Sequence, residues 1–163
     1  MSIRIREIRQ EDYPLLEKFL YHAIFVAEGD SLPPFETIYE PEIFVYIKDF
    51  GQDIHDTAIV AEENGRIIGI AWTRIIPAYG NIDDNTPELA ISVLPEYRGK
   101  GIGTLLMNAL FASLKKQGYA RTSLSVQQDN PACRFYQRLG YQITDEKKDH
   151  AGHDDYIMIK KLQ

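Results

Sequence analysis

From Glu88 to Leu106 the chain reads Glu-Leu-Ala-Ile-Ser-Val-Leu-Pro-Glu-Tyr-Arg-Gly-Lys-Gly-Ile-Gly-Thr-Leu-Leu, an order that few folds accommodate. A short apolar strand meets a proline break, then a glycine-rich basic turn that opens a helix. Such a turn leaves several backbone N–H groups unpaired and aligned at the positive end of the helix dipole. A phosphate or pyrophosphate fits there. Gly101 and Gly103 have no side chain to block a ligand pressed against the backbone, and Arg98 and Lys100 add full positive charge. The stretch reads as an anion cradle and the place to look for a cofactor.

The flanking patterns set this cradle in an alternating α/β chain. Residues 2–9 alternate apolar with basic and read as a strand. Asp12 is a plausible N-cap with Pro14 in the first turn, and Leu15, Leu16, Phe19, Leu20, Ala23 and Ile24 follow at helical spacing. Residues 29–34 break that helix. The stretch 36–50 is mixed, although Ile43, Phe44 and Ile47 allow a second helix. Thr57–Glu62 and Arg66–Ile75 flank Asn64-Gly65, which supplies the positive φ angles of a tight hairpin. Residues 77–87 form a loop. After the cradle, Ile102, Leu105, Leu106, Ala109, Leu110 and Leu114 share one helix face that Gly118 ends. Arg121–Val126 is a strand, Asp129-Asn130-Pro131 opens a short helix that stops at Gly140, and Tyr141–Thr144 and Asp155–Leu162 are closing strands around a polar loop at 145–154.

At 163 residues the chain is long enough for one domain with a full core and short for two. A net charge of −6 argues against nucleic acid as the main partner, and one basic turn on an acidic protein fits a small anionic ligand. No apolar run approaches the roughly 20 residues that span a bilayer. The N-terminus lacks the apolar core of a signal peptide, and the single cysteine, Cys133, fits a reducing compartment. The expected location is the cytoplasm, with no membrane partner.

Two well-known phosphate motifs fail. No stretch matches the Walker loop Gly-x-x-x-x-Gly-Lys-Ser/Thr. In the dinucleotide pattern Gly-x-Gly-x-x-Gly, the third glycine would fall on Thr104 or Leu106, and Arg121–Val126 lacks the acidic residue that would hold a ribose. Arg98-Gly99-Lys100-Gly101-Ile102-Gly103 instead resembles the Arg/Gln-x-x-Gly-x-Gly/Ala signature of the GCN5-related N-acetyltransferases. Asn130-Pro131-Ala132 through Tyr136 to Gly140-Tyr141 resembles that family's Asn-x-x-Ala-x-x-x-Tyr-x-x-x-Gly-Phe/Tyr segment, with the alanine one or two places early. The opening Ile-Arg-x-x-x-x-Asp and Gly69-Ile70-Ala71 are also similar, so the resemblance spans nearly the whole chain in order.

The resemblance implies a single α/β domain over 1–163, with a mixed, mostly antiparallel sheet flanked by helices and a splayed central strand pair, often opened by a bulge. It implies acetyl-CoA as co-substrate, no metal, and transfer of the acetyl group to a primary amine. The backbone amides of Arg98, Gly99, Lys100, Gly101, Ile102, Gly103 and Thr104 would hold the pyrophosphate. The pantetheine arm would lie along Leu89–Val93 at Ile91 and Val93, with the Ile91 N–H toward the thioester carbonyl. Both side chains also suit a core. Tyr136 would be the general acid for the departing thiolate, a phenol of pKa ~10 being able to donate at short range; an aromatic packing role is the plain alternative. Asn130 would touch the arm, or simply cap the helix before Pro131. Glu88 is the candidate general base, set against a surface glutamate, with Asp83 and Asp84 as runners-up.

Other features carry less. His150-Ala-Gly-His153 has a spacing that could suit metal but sits in a polar loop. Cys133 reads as a packed small residue. Tyr39, Tyr46, Trp72 and Tyr79 are either pocket or core, and Glu28, Asp30, Glu36, Glu40 and Glu42 form an acidic segment that could attract an amine or merely be solvated. A small-molecule amine is the expected acceptor. Protein or peptide N-acetylation and a non-catalytic acyl-CoA-binding module are alternatives, and a homodimer is a further expectation from the resemblance.

Overall fold

The computed structural model describes residues 2–163. Its strands are β1 (Arg4–Glu7), β2 (Thr57–Glu63), β3 (Arg66–Arg74), β4 (Glu88–Val93), β5 (Arg121–Gln127), β6 (Gln142–Lys148) and β7 (Asp154–Lys161); its helices are α1 (Leu16–Ala23), α2 (Pro41–Phe44), α3 (Ile102–Lys116) and α4 (Ala132–Arg138). The strands form one seven-stranded sheet in the order β1-β2-β3-β4-β5-β7-β6. Every neighbouring pair is antiparallel except β4 and β5. This is the mixed, mostly antiparallel sheet expected from the sequence. Among the described residues no helix is long and apolar enough to cross a membrane.

The hairpin between β2 and β3 turns at Asn64 (φ 51°) and Gly65 (φ 81°), the left-handed pair that Asn-Gly supplies. Both strands read as near-continuous apolar runs because they are covered on both sides. On one face the α3 stripe of Ile102, Leu106, Leu110 and Leu114 is fully buried, and Leu106 presses so close that a Cβ on Gly69 would lie 3.0 Å from its Cδ1. On the other face α1 lies over β4, where the Ser92 hydroxyl donates to the Phe19 carbonyl at 2.6 Å.

Three expectations are corrected. Asp12 is not an N-cap; it lies inside a 3-10 turn over Gln10–Leu15, accepts from the Arg9 N–H at 2.8 Å and pairs with half-buried Arg6 at 2.8 Å. The second helix over 36–50 is broken into a 3-10 turn, Phe35–Tyr39, and the single turn of α2. The polar loop at 145–154 shrinks, because β6 continues to Lys148 and β7 begins at Asp154. All seven β6 residues are exposed, so nothing forces the apolar alternation that marks a half-buried strand. Its charges suit a sheet edge.

Two contacts fasten the segment after α2 to the sheet and so place what it carries toward β4. Trp72, itself buried, donates from Nε1 to the Tyr46 carbonyl at 2.9 Å. Arg74 donates from Nε and Nη2 to Asp56 at 2.9 and 3.2 Å and from Nη1 to the Val45 carbonyl at 3.0 Å. Removing one side of a buried pair strands the other charge. Arg74→Met is therefore expected to lower unfolding free energy by about 3–5 kcal/mol in urea titrations followed by circular dichroism; a loss under ~1 kcal/mol would mean the pair is effectively solvated.

Candidate active site

The site is built where the sheet comes apart. β4 and β5 run parallel and, among the described residues, pair at one position, Glu88 opposite Ser123, with the Ser123 N–H donating to the Pro87 carbonyl at 3.0 Å. Beyond that point the strands part. The opening needs no bulge in β4, which keeps an unbroken register with β3 from Glu88 to Val93. Leu94 donates to the Ile68 carbonyl of β3 at 2.9 Å. Backbone polar groups alternate sides along a strand, so those of Leu89, Ile91 and Val93 face the gap. Sequence reasoning placed Ile91 and Val93 on this strand, and the structure turns their backbones toward the opening.

At the end of β4 the chain passes through a short 3-10 turn, Pro95–Tyr97, into the cradle. The N–H groups from Gly99 to Thr104 make no hydrogen bond within the described residues, the first bond of α3 being Leu105 N–H to the Gly101 carbonyl at 3.2 Å. Gly99 (φ 74°) and Gly101 (φ 81°) hold left-handed conformations, and a Cβ on either would meet nothing within 4 Å. Conformation rather than protein crowding requires glycine at these two places. Gly103 differs: a Cβ there would lie 3.3 Å from the Phe135 ring, so this glycine lets α4 close over the start of α3. Lys100 stands 5.5 Å from the Tyr97 ring centroid. Arg98 is committed elsewhere, its Nε on the Val93 carbonyl at 3.0 Å and its Nη2 on the His22 carbonyl at 3.2 Å. Its side chain ties the end of β4 to the end of α1.

Between the parted strands lies a cleft of about 340 Å³. Asn130 and Tyr136 line it from the α4 side. Asn130 caps its turn, its Oδ1 accepting from the Ala132 N–H at 2.9 Å, which leaves its side-chain N–H groups for the cleft. Tyr136 packs against Phe135 and Tyr141 at ring-centroid distances of 5.5 and 5.9 Å, and its hydroxyl has no hydrogen-bond partner among the described residues. Burial raises its pKa above the ordinary phenol value, with nearby Cys133 adding to the effect, so the proton stays on at neutral pH. Cys133 is itself a packed residue, its thiol donating to the Gln127 carbonyl at 3.5 Å and pushed up by burial.

Glu88 closes the other end of the gap. It is not a surface glutamate: it is 2% exposed. Its Oε2 accepts from the Gly80 N–H at 3.0 Å and from the Tyr46 hydroxyl, while its Oε1 is buried without a partner. Burial drives its carboxyl up to about 7, against the lowering effect of those two donors. Tyr46, with Ser125 beside it, lines the cleft and stands between Glu88 and the opening. The loop 77–87 must come in very close, since a Cβ on Gly80 would lie 2.7 Å from Glu88 Oε2. Tyr46 was legible only as an aromatic of unassigned place, and Gly80 as a loop residue; nothing local in the sequence marks them as neighbours of Glu88.

The cleft is acidic where the α2 segment and the β6–β7 region border it. Glu40, Glu42, Asp149 and Asp155 border it, with Tyr79, His150 and His153. His150 is not merely solvated: its Nδ1 meets the Tyr79 hydroxyl and its Nε2 lies 3.2 Å from Glu40. His153 Nδ1 lies 2.9 Å from Asp149. Asp155, absent from the sequence-based candidates, is 5% exposed with Oδ1 buried and unpartnered; burial first, then the charge of Asp149, raises its carboxyl to about 6. Among the described residues no group of three or more His, Cys, Asp or Glu side chains is arranged to hold a metal ion. Of the runners-up, Asp83 pairs with Arg121 at 2.6 Å and, like Asp84, stands outside the cleft lining. Trp72 is core, and Tyr39 is half-exposed against Glu17 at 2.5 Å.

An amide cradle at a helix start leads into a cleft between diverging parallel strands, a geometry with room for a phosphate-bearing ligand and an extended arm. The Acetyltransferase (GNAT) family profile matches residues 4–141, and the chain belongs to that family. The family's co-substrate is acetyl-CoA, and the free amides of Gly99–Thr104 together with the open β4 edge fit that molecule. An uncharacterised N-acetyltransferase of Mycobacterium tuberculosis is 33% identical over 109 residues, 64% of this chain and 66% of that protein. The ribosomal protein bS18-alanine N-acetyltransferase of Haemophilus influenzae is 33% identical over 88 residues, 54% of this chain and 56% of that enzyme. The chain thus spans under two thirds of these curated relatives. Among solved structures, the PaiA N-acetyltransferase of Thermoplasma acidophilum in complex with coenzyme A aligns with a TM-score of 0.67 at 25% identity, covering 99% of both chains.

Gly101→Ala forces a side chain into the left-handed region, at a cost of about 1–2 kcal/mol, and tilts the amides that follow. Calorimetric titration with coenzyme A is expected to show affinity weakened by roughly 10-fold. Unchanged affinity would remove the turn from the binding site.

Proposed function

We propose that this protein transfers the acetyl group of acetyl-CoA to the primary amine of a small molecule by direct attack. The observation that carries the reading is the parting of β4 from β5, which exposes the Ile91 backbone between the phenol of Tyr136 and the Glu88–Tyr46 pair. The coenzyme supplies the thioester. The amides of Gly99 to Thr104 bind its pyrophosphate, Asn130 touches its arm, and the Ile91 N–H polarises the thioester carbonyl as charge develops on its oxygen. Arg98 acts by holding β4 to α1 rather than by touching the anion.

Proton transfer divides between the two ends of the cleft. Most of an aliphatic amine is protonated at neutral pH and must lose a proton to attack. Ionised Glu88 accepts that proton through the Tyr46 hydroxyl, which donates one proton to the carboxylate as it receives one from the amine. Nitrogen then bonds to the carbonyl carbon, the carbon–sulfur bond breaks, and Tyr136 donates to the departing sulfur. A phenol whose ionisation is suppressed by burial remains available as a donor throughout the working pH range.

The closure between the β6–β7 turn and the α2 segment supports a small acceptor over a peptide. His150 reaches across to Tyr79 and Glu40, so the β6–β7 turn meets the segment before α2 where a peptide would need an open groove.

Tyr136→Phe is expected to lower kcat by about 10²-fold or more while leaving coenzyme A affinity within about threefold, read by thiol release and by calorimetry. Retention of full kcat would remove Tyr136 as the acid. For Glu88 the working form is the ionised one, so kcat/KM should rise as pH passes through about 7 and flatten above it. Glu88→Gln should abolish that limb and lower kcat by about 10²-fold or more. The same change should stabilise the fold. A carboxyl that stays neutral in the fold up to about 7 but ionises near 4.5 when unfolded contributes stability that is complete at low pH and lost as pH rises. At pH 8 the glutamine variant should therefore gain up to roughly 3 kcal/mol in urea denaturation; equal stability would show that Glu88 is paid no burial penalty.

A further inference from the structure

The least explained charge in the cleft is Asp155. Its side chain makes no hydrogen bond and no ion pair among the described residues, its Oδ1 is enclosed, and the residue is 5% exposed. Burying a carboxylate without a partner is costly, and nearby chain supplies none. Lys147 is its cross-strand neighbour on β6 but remains exposed and unpaired with it. His153 is committed to Asp149 at 2.9 Å. Asp155 does line the cleft, and its Oδ2, which is not among the enclosed unpartnered atoms, is the oxygen left to meet a ligand there.

The sheet register places this carboxylate relative to the chemistry. Asp155 pairs with Gln127, and Ser125, two residues back on β5, shares the face of Gln127. Ser125 stands beside Tyr46, the hydroxyl on Glu88. Two residues along a strand and one strand across give a backbone separation of roughly 8 Å between Asp155 and Ser125, with the Tyr46 hydroxyl beyond it. The same cleft is also lined by Glu42, Asp149 and Glu40. Asp149 is the charge that most raises the Asp155 carboxyl after burial itself, with Asp154 and Asp129 adding smaller contributions and His153 opposing them. The group therefore sits in a negative field that a cation would relieve.

We infer that the acceptor is an aliphatic amine carrying a second ammonium group, and that Asp155 holds the second group while the reacting nitrogen lies at Tyr46 and Ile91. The inference rests on the acetyl-transfer reading above and names the class of substrate for the same cleft. A monoamine would leave the enclosed carboxylate as it stands. A diamine places one ammonium against Asp155, where a charge-assisted hydrogen bond completes its shell, and leaves the other end to lose its proton and attack.

The test compares butylamine with diaminobutane, matched in carbon chain and differing in the second ammonium group, with acetyl-CoA as donor and thiol release as readout. The wild-type kcat/KM ratio is expected to favour the diamine by about 10- to 100-fold, and Asp155→Asn should bring that ratio close to one, mainly through KM. Equal values in the wild-type enzyme, or an undiminished preference in Asp155→Asn, would overturn the inference and leave acetyl transfer intact. The same holds if aromatic amines or peptide N-termini are acetylated while both probes are refused. Failure of every amine and peptide tried, with acetyl-CoA binding retained in calorimetry, would overturn the acetyl-transfer reading and this inference with it. The wild-type comparison needs no variant, so poor folding of Asp155→Asn does not shelter the proposal.

Discussion

The pairing of Glu88 with Ser123 is the last point at which β4 and β5 behave as sheet neighbours, and what the molecule offers a ligand depends on their separation beyond it. A sheet normally satisfies every backbone donor and acceptor of its central strands. Here a central strand is left with polar groups facing an opening, a situation otherwise confined to sheet edges. The fold tolerates the defect because β4 is fully held on its other side by β3, because Ser92 anchors it to α1, and because Arg98 ties down the Val93 carbonyl. The open edge is then a template for an extended ligand, much as an edge strand is for a peptide.

The closed end of the gap is equally unusual, since it buries an acid with one oxygen unpartnered. Neither Tyr46 nor the Gly80 amide offsets the loss of water, and the carboxyl remains well above the ordinary glutamate range. That position suits a base better than a structural ion pair would. Asp56, by contrast, is locked to Arg74 at 2.9 Å, with both of its carboxylate oxygens engaged. The chain contains both arrangements in adjacent parts of the fold. The Arg74 pair fixes the segment bearing Tyr46, and Tyr46 connects Glu88 to the cleft. Local stability is thus given up at the site and recovered one layer behind it.

Features encoded within a short window were legible in the sequence. The Asn64-Gly65 turn, the position of the glycine-rich cradle, the apolar stripe of α3 and the succession of strands and helices along the chain all follow from local backbone preference or periodicity. What escaped depends on contacts between distant residues or on the absence of burial. Tyr46 and Glu88 are separated by 42 positions, and the one-turn α2 is too short to establish a 3.6-residue period. The strand β6 is exposed throughout, so its polar run looks like a loop. Asp12 carried a local signal that was real but assigned to the wrong end of its turn: it accepts from the Arg9 N–H instead of opening the helix itself. Asp155 looked like one more charge beside a polar loop, because burial is a property of the assembled cleft and not of the residue's neighbours in sequence.

The two perturbed carboxyls, Glu88 and Asp155, give the cleft a direction. Both are raised by burial, yet they differ in what surrounds them. Glu88 has two donors and reaches the cleft through a phenol, an arrangement fit to move a proton. Asp155 has no donor and stands among other acids, an arrangement that attracts a cation without a route for passing the proton on. On the proposed reading, a group at the Tyr46 end would lose a proton while a group at the Asp155 end would be held charged. That asymmetry would let a symmetrical diamine react at one nitrogen while the other serves as its anchor.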